Sequence, residues 1–297
     1  MPLIPLHLLL PLVSAVVYVV AALLLKRAAD LGAGVWRTTR IINYTSALVA
    51  MPLWLLGGTI PAARLWWQPA VGGALFFAGQ IFTLLALSTG DVSVATPVLG
   101  VKILLVALLS AVLIGDPIGA RLWTAAALSS AAIVMLNFSR PRTHTRVSTT
   151  IVLAALGAAA YACFDVLVQK WSPVWGSWVV PIAMACAAAY SLPLRRFDAR
   201  KTIPSEEILP ACTRWVIGGA ACFAVQGLMF ITSISVYGQA TSANVLYSSR
   251  GLWSVVAVWG IGHWFTNREQ HLGAPVLAWR LVGAILMMAA LMMVLVG

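Results

Sequence analysis

Ten apolar stretches, each roughly 20 residues long, follow one another along the chain and are separated mostly by short polar or charged connections. A helix of that length spans the hydrocarbon core of a bilayer. The stretches are continuous, without the alternation of barrel strands, and lipid cannot satisfy open backbone groups, so a helical bundle is the expected form. We therefore predict an all-α membrane protein with ten transmembrane helices, at residues 3–25, 35–57, 67–89, 93–114, 121–138, 150–169, 175–194, 214–237, 241–264 and 276–296.

The composition agrees with a bilayer as the surroundings of the chain. Hydrophobic residues make up 61% of the 297 residues and charged residues only 9%, which is too little polar surface for a soluble protein of this length. The net charge of +11 is spread over short connections instead of lying along one face with aromatic residues, so we predict no nucleic-acid partner. The four cysteines and four histidines show no ligand spacing, and we expect no metal, disulfide framework or cofactor.

The basic residues of the connections predict how the chain lies in the membrane. Connections after odd-numbered stretches carry ten basic residues and those after even-numbered stretches carry three. Cytoplasmic loops are enriched in Lys and Arg, so this count predicts a multi-pass protein with both termini outside, most simply in a bacterial cytoplasmic membrane. The ten residues are Lys26, Arg27, Arg140, Arg142, Arg146, Arg195, Arg196, Arg200, Lys201 and Arg268, and the three are Arg64, Arg121 and Lys170.

The two halves of the chain repeat one another. The most regular match, at a constant offset of 148, aligns Gly90, Ala95, Val98 and Lys102 with Gly238, Ala243, Leu246 and Arg250. We divide the chain into a first five-helix repeat at 1–139, a basic linker at 140–149 and a second five-helix repeat at 150–297. Because each unit has an odd number of spans, the second enters the membrane from the opposite side, so the repeats are inverted.

Lys102 and Arg250 each lie about nine residues inside an apolar stretch, at matching positions of the two repeats. A cation at a helix centre costs roughly 2.5 to 3.5 kcal/mol on insertion scales, so both residues need compensation. One interpretation is a central cavity in which the two bases bind an anionic solute. The other is internal pairing with Asp165, an acid inside the sixth stretch, or with helix carbonyls. Asp165 is also a candidate for proton coupling.

Further polar side chains inside the stretches are candidates for binding the solute. Tyr247 and Asn244 share a helical face with Arg250, and Arg40 adds positive charge near the start of the second stretch, where snorkelling to the interface is an alternative. Four more residues could supply hydroxyl or amide groups to a cavity, although hydrogen bonds between helices are equally expected of them. They are Tyr18, Tyr161, Gln80 and Gln226.

Short motifs carry a resemblance to a known family. The segment 86–97 reads ALSTGDVSVATP, and the apolar helix after it ends in Gly115-Asp116-Pro117; Lys26 and Arg40 fit the same pattern. In these features the chain resembles the drug/metabolite transporter (DMT) superfamily, specifically its EamA-like branch of ten-helix proteins built from two inverted five-helix repeats. The resemblance implies transport of a metabolite or drug without naming the solute. It also implies cytoplasmic termini, which is opposite to the charge count.

These patterns together predict a secondary active transporter or exchanger. We expect it to move a small anionic or zwitterionic metabolite by alternating access around a central basic cavity, with the lipid bilayer and the solute as its partners and with a monomer or a homodimer both possible. The alternative is an exporter of neutral amino acids or drugs, in which the buried bases are neutralised internally. No clustered carboxylates, nucleophile–base pair or metal motif indicates an enzyme.

Overall fold

The computed structural model describes residues 5–89, 92–136, 147–198, 208–261 and 274–296. Those residues form an all-α fold, as the sequence predicted, with one isolated bridge between Gly58 and Gly176 as their β structure. Short 3₁₀ or π segments extend several helices. The α-helices are α1 (Leu6–Asp30), α2 (Val35–Ala50), α3 (Trp67–Thr89), α4 (Val92–Gly100), α5 (Lys102–Leu109), α6 (Ala120–Leu136), α7 (Val147–Trp175), α8 (Val179–Tyr190), α9 (Arg195–Asp198), α10 (Ile208–Tyr237), α11 (Ala240–Tyr247), α12 (Arg250–Ile261) and α13 (Ala274–Leu295).

Several helical segments are long and apolar enough to cross a membrane, which agrees with the predicted class of protein. Each of the ten apolar stretches is largely helical where the structure describes it, but the crossing of all ten stays a prediction. Among the described residues, six segments have the length and hydropathy of a span, namely Leu6–Asp30, Ala63–Leu87, Val94–Ile114, Val147–Trp175, Cys212–Tyr237 and Ala278–Leu295.

Helix α13 illustrates how the apolar surface is divided between the protein and its surroundings. One face is exposed although it is entirely apolar, and its members recur at spacings of three and four residues: Leu281, Ile285, Met288 and Met292. The opposite face is buried against α6 and includes Met287, Ala290, Leu291 and Val294. A helix that is hydrophobic on both faces is typical of a membrane span, in which one face packs against protein and the other contacts lipid.

The main helix pairs are α1 with α10, α3 with α7, and α6 with α13, and α3 also packs against α8. Glycines allow some of these close approaches. A Cβ at Gly73 of α3 would lie 2.5 Å from the carbonyl oxygen of Ala183 in α8, and a Cβ at Gly283 of α13 would lie 3.0 Å from that of Ala132 in α6. Small residues at helix contacts are typical of membrane bundles, because close backbone approach supplies the packing that lipid does not.

Two of the apolar stretches contain a local interruption of the α-helical hydrogen bonds, and a base follows each interruption, although the backbone at Val101 and Ser248 stays right-handed helical. The first interruption is at Val101, whose backbone N–H donates to the carbonyl of Val98 at 3.1 Å, and α5 begins at Lys102. The second is at Ser248 and Ser249, and α12 begins at Arg250. Both bases therefore lie directly after a local interruption of a helix.

Some predicted features lie outside the described residues. These are Gly90 of the repeat match, residues 140–146 of the linker, and several basic residues of the orientation count, namely Arg140, Arg142, Arg146, Arg200, Lys201 and Arg268. Helix α7 begins at Val147, so the last three residues of the predicted linker are helical. The repeat boundaries and the side on which the termini lie stay predictions.

Candidate functional site

A cavity of about 570 Å³ lies among the helices. Every α-helix except the short α9 contributes to its wall. A cavity of that size is in the range of small-molecule sites, which are concave, mostly apolar and provided with a few convergent polar groups. The aromatic side chains in its wall are Tyr18, Phe76, Tyr161, Phe164, Phe223, Phe230 and Tyr247, and the charged ones are Lys102, Asp165, Arg250 and Arg280.

Lys102 is paired inside the protein. Its Nζ lies 2.7 Å from Oδ2 of Asp165, whose side chain is only 3% exposed. The same carboxylate oxygen accepts a hydrogen bond from Nδ2 of Asn244 at 2.8 Å. The Lys102 ammonium also lies 5.2 Å from the ring centroid of Phe230 and 5.6 Å from that of Tyr161. The sequence left open whether Lys102 binds a solute or forms an internal ion pair, and the structure shows the internal ion pair with Asp165.

Arg250 has different surroundings. Its guanidinium carbon lies 4.6 Å from the ring centroid of Tyr18 and 4.5 Å from that of Tyr247, which are favourable cation–π distances. The two rings meet edge to face with their centroids 5.9 Å apart, so they flank the guanidinium from one side and do not sandwich it. Within the described part of the chain, no carboxylate forms an ion pair with Arg250. An arginine keeps its charge in proteins, so the cavity wall carries a cation here.

A second set of hydrogen bonds fixes the start of α11, the helix that carries Asn244 and Tyr247. The backbone N–H of Ala240, the first residue of α11, donates to Oε1 of Gln169 at 2.9 Å, which satisfies one of the free donors of a helix start. Gln169 in turn donates from Nε2 to Oδ2 of Asp116 at 2.7 Å. Asp165 and Gln169 are one turn apart on α7, so α7 holds α11 at two points and thereby positions Tyr247 beside Arg250.

Four of the predicted polar residues besides the bases and Asp165 lie in the cavity wall, namely Tyr18, Tyr161, Gln226 and Tyr247. The amide oxygen of Gln226 accepts a hydrogen bond from Oγ of Ser14 at 3.1 Å, and its backbone oxygen accepts one from the same hydroxyl at 2.8 Å. Gln226 therefore joins α10 to α1 and also lies in the cavity wall, while its contact with a solute stays a prediction.

The structure does not bring the remaining three candidates into the wall. Gln80 accepts a hydrogen bond from Nδ2 of Asn43 at 2.9 Å, which joins α3 to α2 away from the cavity. Arg40 lies in α2 and is not among the lining residues. Asn244 is buried behind the wall, where its amide orients the carboxylate of Asp165. Its expected contact with a solute is replaced by a contact with the acid.

Sequence reasoning missed Arg280, which lies in the cavity wall. The signal was present, since Arg280 is a base inside the tenth apolar stretch. It lies only three residues into the span Ala278–Leu295, where an arginine is ordinarily expected to reach for the membrane interface. Its place in the cavity wall depends on the packing of α13 against α6, which the spacing of residues in the sequence does not show.

Comparisons with known proteins show which fold the chain has but do not assign it to a family. No family model matches the chain, and no curated protein matches it. Twenty-eight chains of solved structures are similar to it. One of these, a protein crystal structure, has 16% sequence identity and a TM-score of 0.67, with 95% of each chain covered. The chain therefore shares its overall fold with that solved protein over nearly its whole length.

Proposed function

We propose that the chain is a secondary active transporter or exchanger that moves a small anionic or zwitterionic metabolite across a membrane. The observation that carries the proposal is Arg250, which lies in the wall of a central cavity with tyrosine rings on one side and no ion-paired carboxylate among the described residues. A buried cation without a countercharge is costly. An anionic solute supplies that countercharge, and Arg250 is its main binding residue.

The same proposal includes ten transmembrane spans arranged as two inverted repeats, in the manner of the DMT superfamily and its EamA-like branch. Helix packing supports this arrangement. The first span, α1, packs on the eighth, α10, and the sixth, α7, packs on the third, α3. If each span of one unit is exchanged for the equivalent span of the other, the first span becomes the sixth and the eighth becomes the third, so the first pair becomes the second. The seventh span likewise packs on the second, and the tenth on the fifth, and each of these pairs is unchanged by the exchange.

The two helix interruptions support the proposed repeat as well. They fall in the fourth and ninth spans, which are equivalent under the exchange, and Lys102 and Arg250 follow them as the first residues of α5 and α12. Transporters built from inverted repeats bind solutes near the bilayer midplane, where the two repeats meet. Alternating access around the cavity is therefore the mechanism that we propose.

The chemistry of the two bases differs in spite of their equivalence. The charge of Lys102 is neutralised by the ion pair with Asp165, so Lys102 adds little net electrostatic attraction for a distant anion. In our proposal the Lys102–Asp165 pair joins the two units and Arg250 binds the solute. The aromatic rings of the wall then contact the apolar body of the solute, since such rings combine a large contact area with well-defined geometry.

The second candidate is an exporter of neutral amino acids or drugs. The observation in its favour is the Lys102–Asp165 pair, which neutralises one of the two bases internally, together with the largely aromatic wall. The observation against it is Arg250, because the described residues offer this second base no equivalent acid. The two candidates therefore differ in whether Arg250 contacts a solute charge.

A screen of matched solutes tests the proposal and separates the candidates. Purified wild-type protein is heated with metabolite carboxylates and phosphates, each paired with its neutral amide or alcohol analogue of the same shape. A ligand at 100 times its Kd stabilises the folded state by about 2.7 kcal/mol, so a binding anion raises the melting temperature measurably. We expect stabilisation by anions and not by their neutral partners. Equal or greater stabilisation by the neutral partners would instead favour the exporter of neutral solutes.

A further inference from the structure

Gly227 leaves an indentation in the wall of the cavity. A Cβ at this position of α10 would have no atom of the described chain within 4 Å, apart from its own helix backbone and its two chain neighbours. The other two glycines among the described residues of the wall are packed closely. A Cβ at Gly100 would lie 2.8 Å from Cγ2 of Ile133. One at Gly251 would lie 3.4 Å from Cδ1 of Leu136.

Neither the backbone nor the packing of α10 requires a glycine at position 227. Gly227 is not among the glycines with positive φ, and the α-helix continues through it from Ile208 to Tyr237. Glycine inside a helix is less favourable than alanine. Gly219 of the same helix has a packing reason, because its Cβ would lie 2.7 Å from Cδ2 of Leu25. At Gly227, by contrast, the missing side chain leaves free space in the cavity.

Two phenylalanine rings flank Gly227 along α10. Phe223 lies four residues before it and Phe230 three residues after it, so the three residues share one face of the helix. All three line the cavity. The ring centroid of Phe223 lies 6.2 Å from that of Tyr18. The ring centroid of Phe230 lies 4.6 Å from that of Tyr247. We call the free space over Gly227, between Phe223 and Phe230, the Gly227 notch.

The Gly227 notch borders the same part of the cavity as Arg250. Tyr18 and Tyr247, which the two phenyl rings contact, are also the rings that lie 4.6 and 4.5 Å from the guanidinium carbon. A planar carboxylate pairs with a guanidinium fork through two parallel hydrogen bonds, and its substituent then points away from the arginine. Such a substituent enters a region with aromatic side chains around it and, at Gly227, free space.

We propose that the Gly227 notch binds the apolar body of the solute, and that the solute is a carboxylate with a branched or aromatic group close to its charge. Gly227 determines how large that group can be. The inference rests on the proposed function, since it names the class of anion that Arg250 binds. Arg250 recognises the charge of the solute, and the Gly227 notch recognises its size and its apolar character.

A series of three carboxylates of equal charge tests the inference: acetate, isovalerate and phenylacetate. The latter two carry an isopropyl or a phenyl group on the carbon next to the carboxylate, and phenylacetamide is the neutral analogue of the largest. Kd is measured from ligand-dependent thermal stabilisation of purified wild type, Gly227→Ala and Gly227→Leu. The matched control is Gly218→Ala, at a glycine of α10 outside the cavity wall, where a Cβ would lie 3.9 Å from Cδ1 of Leu24.

In wild type we expect isovalerate and phenylacetate to bind about tenfold or more tightly than acetate, because each buried methylene corresponds to about fourfold in Kd. Gly227→Leu reduces that preference by about tenfold or more, since its side chain occupies the notch, and Gly227→Ala reduces it by a smaller factor. Gly218→Ala retains the preference. We expect both alanine variants to melt at or above the temperature of wild type, because each replaces a helical glycine without a close contact.

The wild-type series needs no variant, so the preference is tested even if Gly227→Leu does not fold. Two outcomes overturn the inference and leave the proposed function intact. One is that anions of the solute screen bind wild type while isovalerate and phenylacetate stabilise it no more than acetate does. The other is that Gly227→Ala and Gly227→Leu change the Kd of all three carboxylates by the same factor or not at all, as expected of a glycine that serves only as a flexible point of α10.

A third outcome concerns the charge of the solute. If phenylacetamide binds wild type as tightly as phenylacetate does, the proposed recognition of an anion is contradicted, and with it the carboxylate class of the inference.

Discussion

Arg250→Gln is expected to weaken the binding of anionic solutes by about 30-fold or more. Removal of one partner from a buried, hydrogen-bonded charge pair costs about 2 to 5 kcal/mol, and each 1.4 kcal/mol is a factor of ten in Kd. Glutamine retains polarity and much of the length of the side chain but carries no charge. The measurement is the Kd of the tightest-binding anion from the solute screen, determined for purified wild type and variant.

Arg250→Lys is the informative companion of that variant. Lysine keeps the positive charge but loses the planar fork that binds a carboxylate through two parallel hydrogen bonds, and it stacks less well on the rings of Tyr18 and Tyr247. We expect an intermediate Kd, and we expect Arg121→Gln, which removes an exposed arginine of α6 that is not in the cavity wall, to bind like wild type. An Arg250→Gln protein that binds the anion with unchanged Kd would show that this arginine serves the packing of the two tyrosines and not the solute.

Asp165→Asn is expected to lower the stability of the folded protein by about 3 to 5 kcal/mol, because it leaves the Lys102 ammonium in the cavity wall without its carboxylate. Lys102→Met is also destabilising, since the carboxylate then keeps the amide of Asn244 but loses its countercharge. The double variant Lys102→Met/Asp165→Asn removes both charges and recovers most of the loss. The readout is the midpoint of thermal or denaturant unfolding of all four proteins in the same detergent.

The double-mutant cycle gives the coupling between the two residues directly. If Lys102 and Asp165 form a structural pair, we expect a large coupling energy in the stabilities of the four proteins. We also expect these substitutions to change the Kd of the solute far less than Arg250→Gln does. If Lys102→Met leaves stability unchanged and weakens anion binding as strongly as Arg250→Gln does, Lys102 contacts the solute, and the assignment of different roles to the two equivalent bases is wrong.

The fold class followed from the sequence because the thickness of a bilayer fixes the length of an apolar run. The third stretch, predicted at 67–89, coincides with α3, Trp67–Thr89. The first, predicted at 3–25, continues as helix to Asp30. It does so because Lys26 and Arg27 end the apolar run without ending the hydrogen-bonded helix, and charged residues are readily placed at a membrane interface. Hydropathy therefore predicts which residues lie in the membrane core, whereas the end of the helix depends on where its backbone hydrogen bonds stop.

Part of the site could also be predicted, because polar and charged residues inside apolar stretches avoid lipid and face the interior of the bundle. That rule placed Lys102, Arg250, Tyr18, Tyr161 and Tyr247 correctly at the cavity. The rule could not assign partners. Asp165 is equally plausible in sequence as a partner of either base.

The choice of partner depends on three-dimensional packing. Asp165 pairs with Lys102 because α5 and α11 both pack on α7, which places Lys102 and Asn244 at the same carboxylate oxygen. Gln80 bonds to Asn43 for a similar reason, since two amides on neighbouring helices satisfy each other without reaching the cavity. Such pairings arise from rotations of helices that the spacing of residues does not determine.

Uptake by proteoliposomes tests the central proposal most directly. Vesicles that contain wild type, Arg250→Gln or no protein are given the radiolabelled anion that binds most tightly in the solute screen, together with its neutral analogue in a parallel series. We predict saturable uptake of the anion by wild-type vesicles, uptake by Arg250→Gln vesicles close to that of protein-free vesicles, and no accelerated uptake of the neutral analogue. Equal uptake of the anion by wild-type and protein-free vesicles, or equal uptake by wild type and Arg250→Gln, would contradict it.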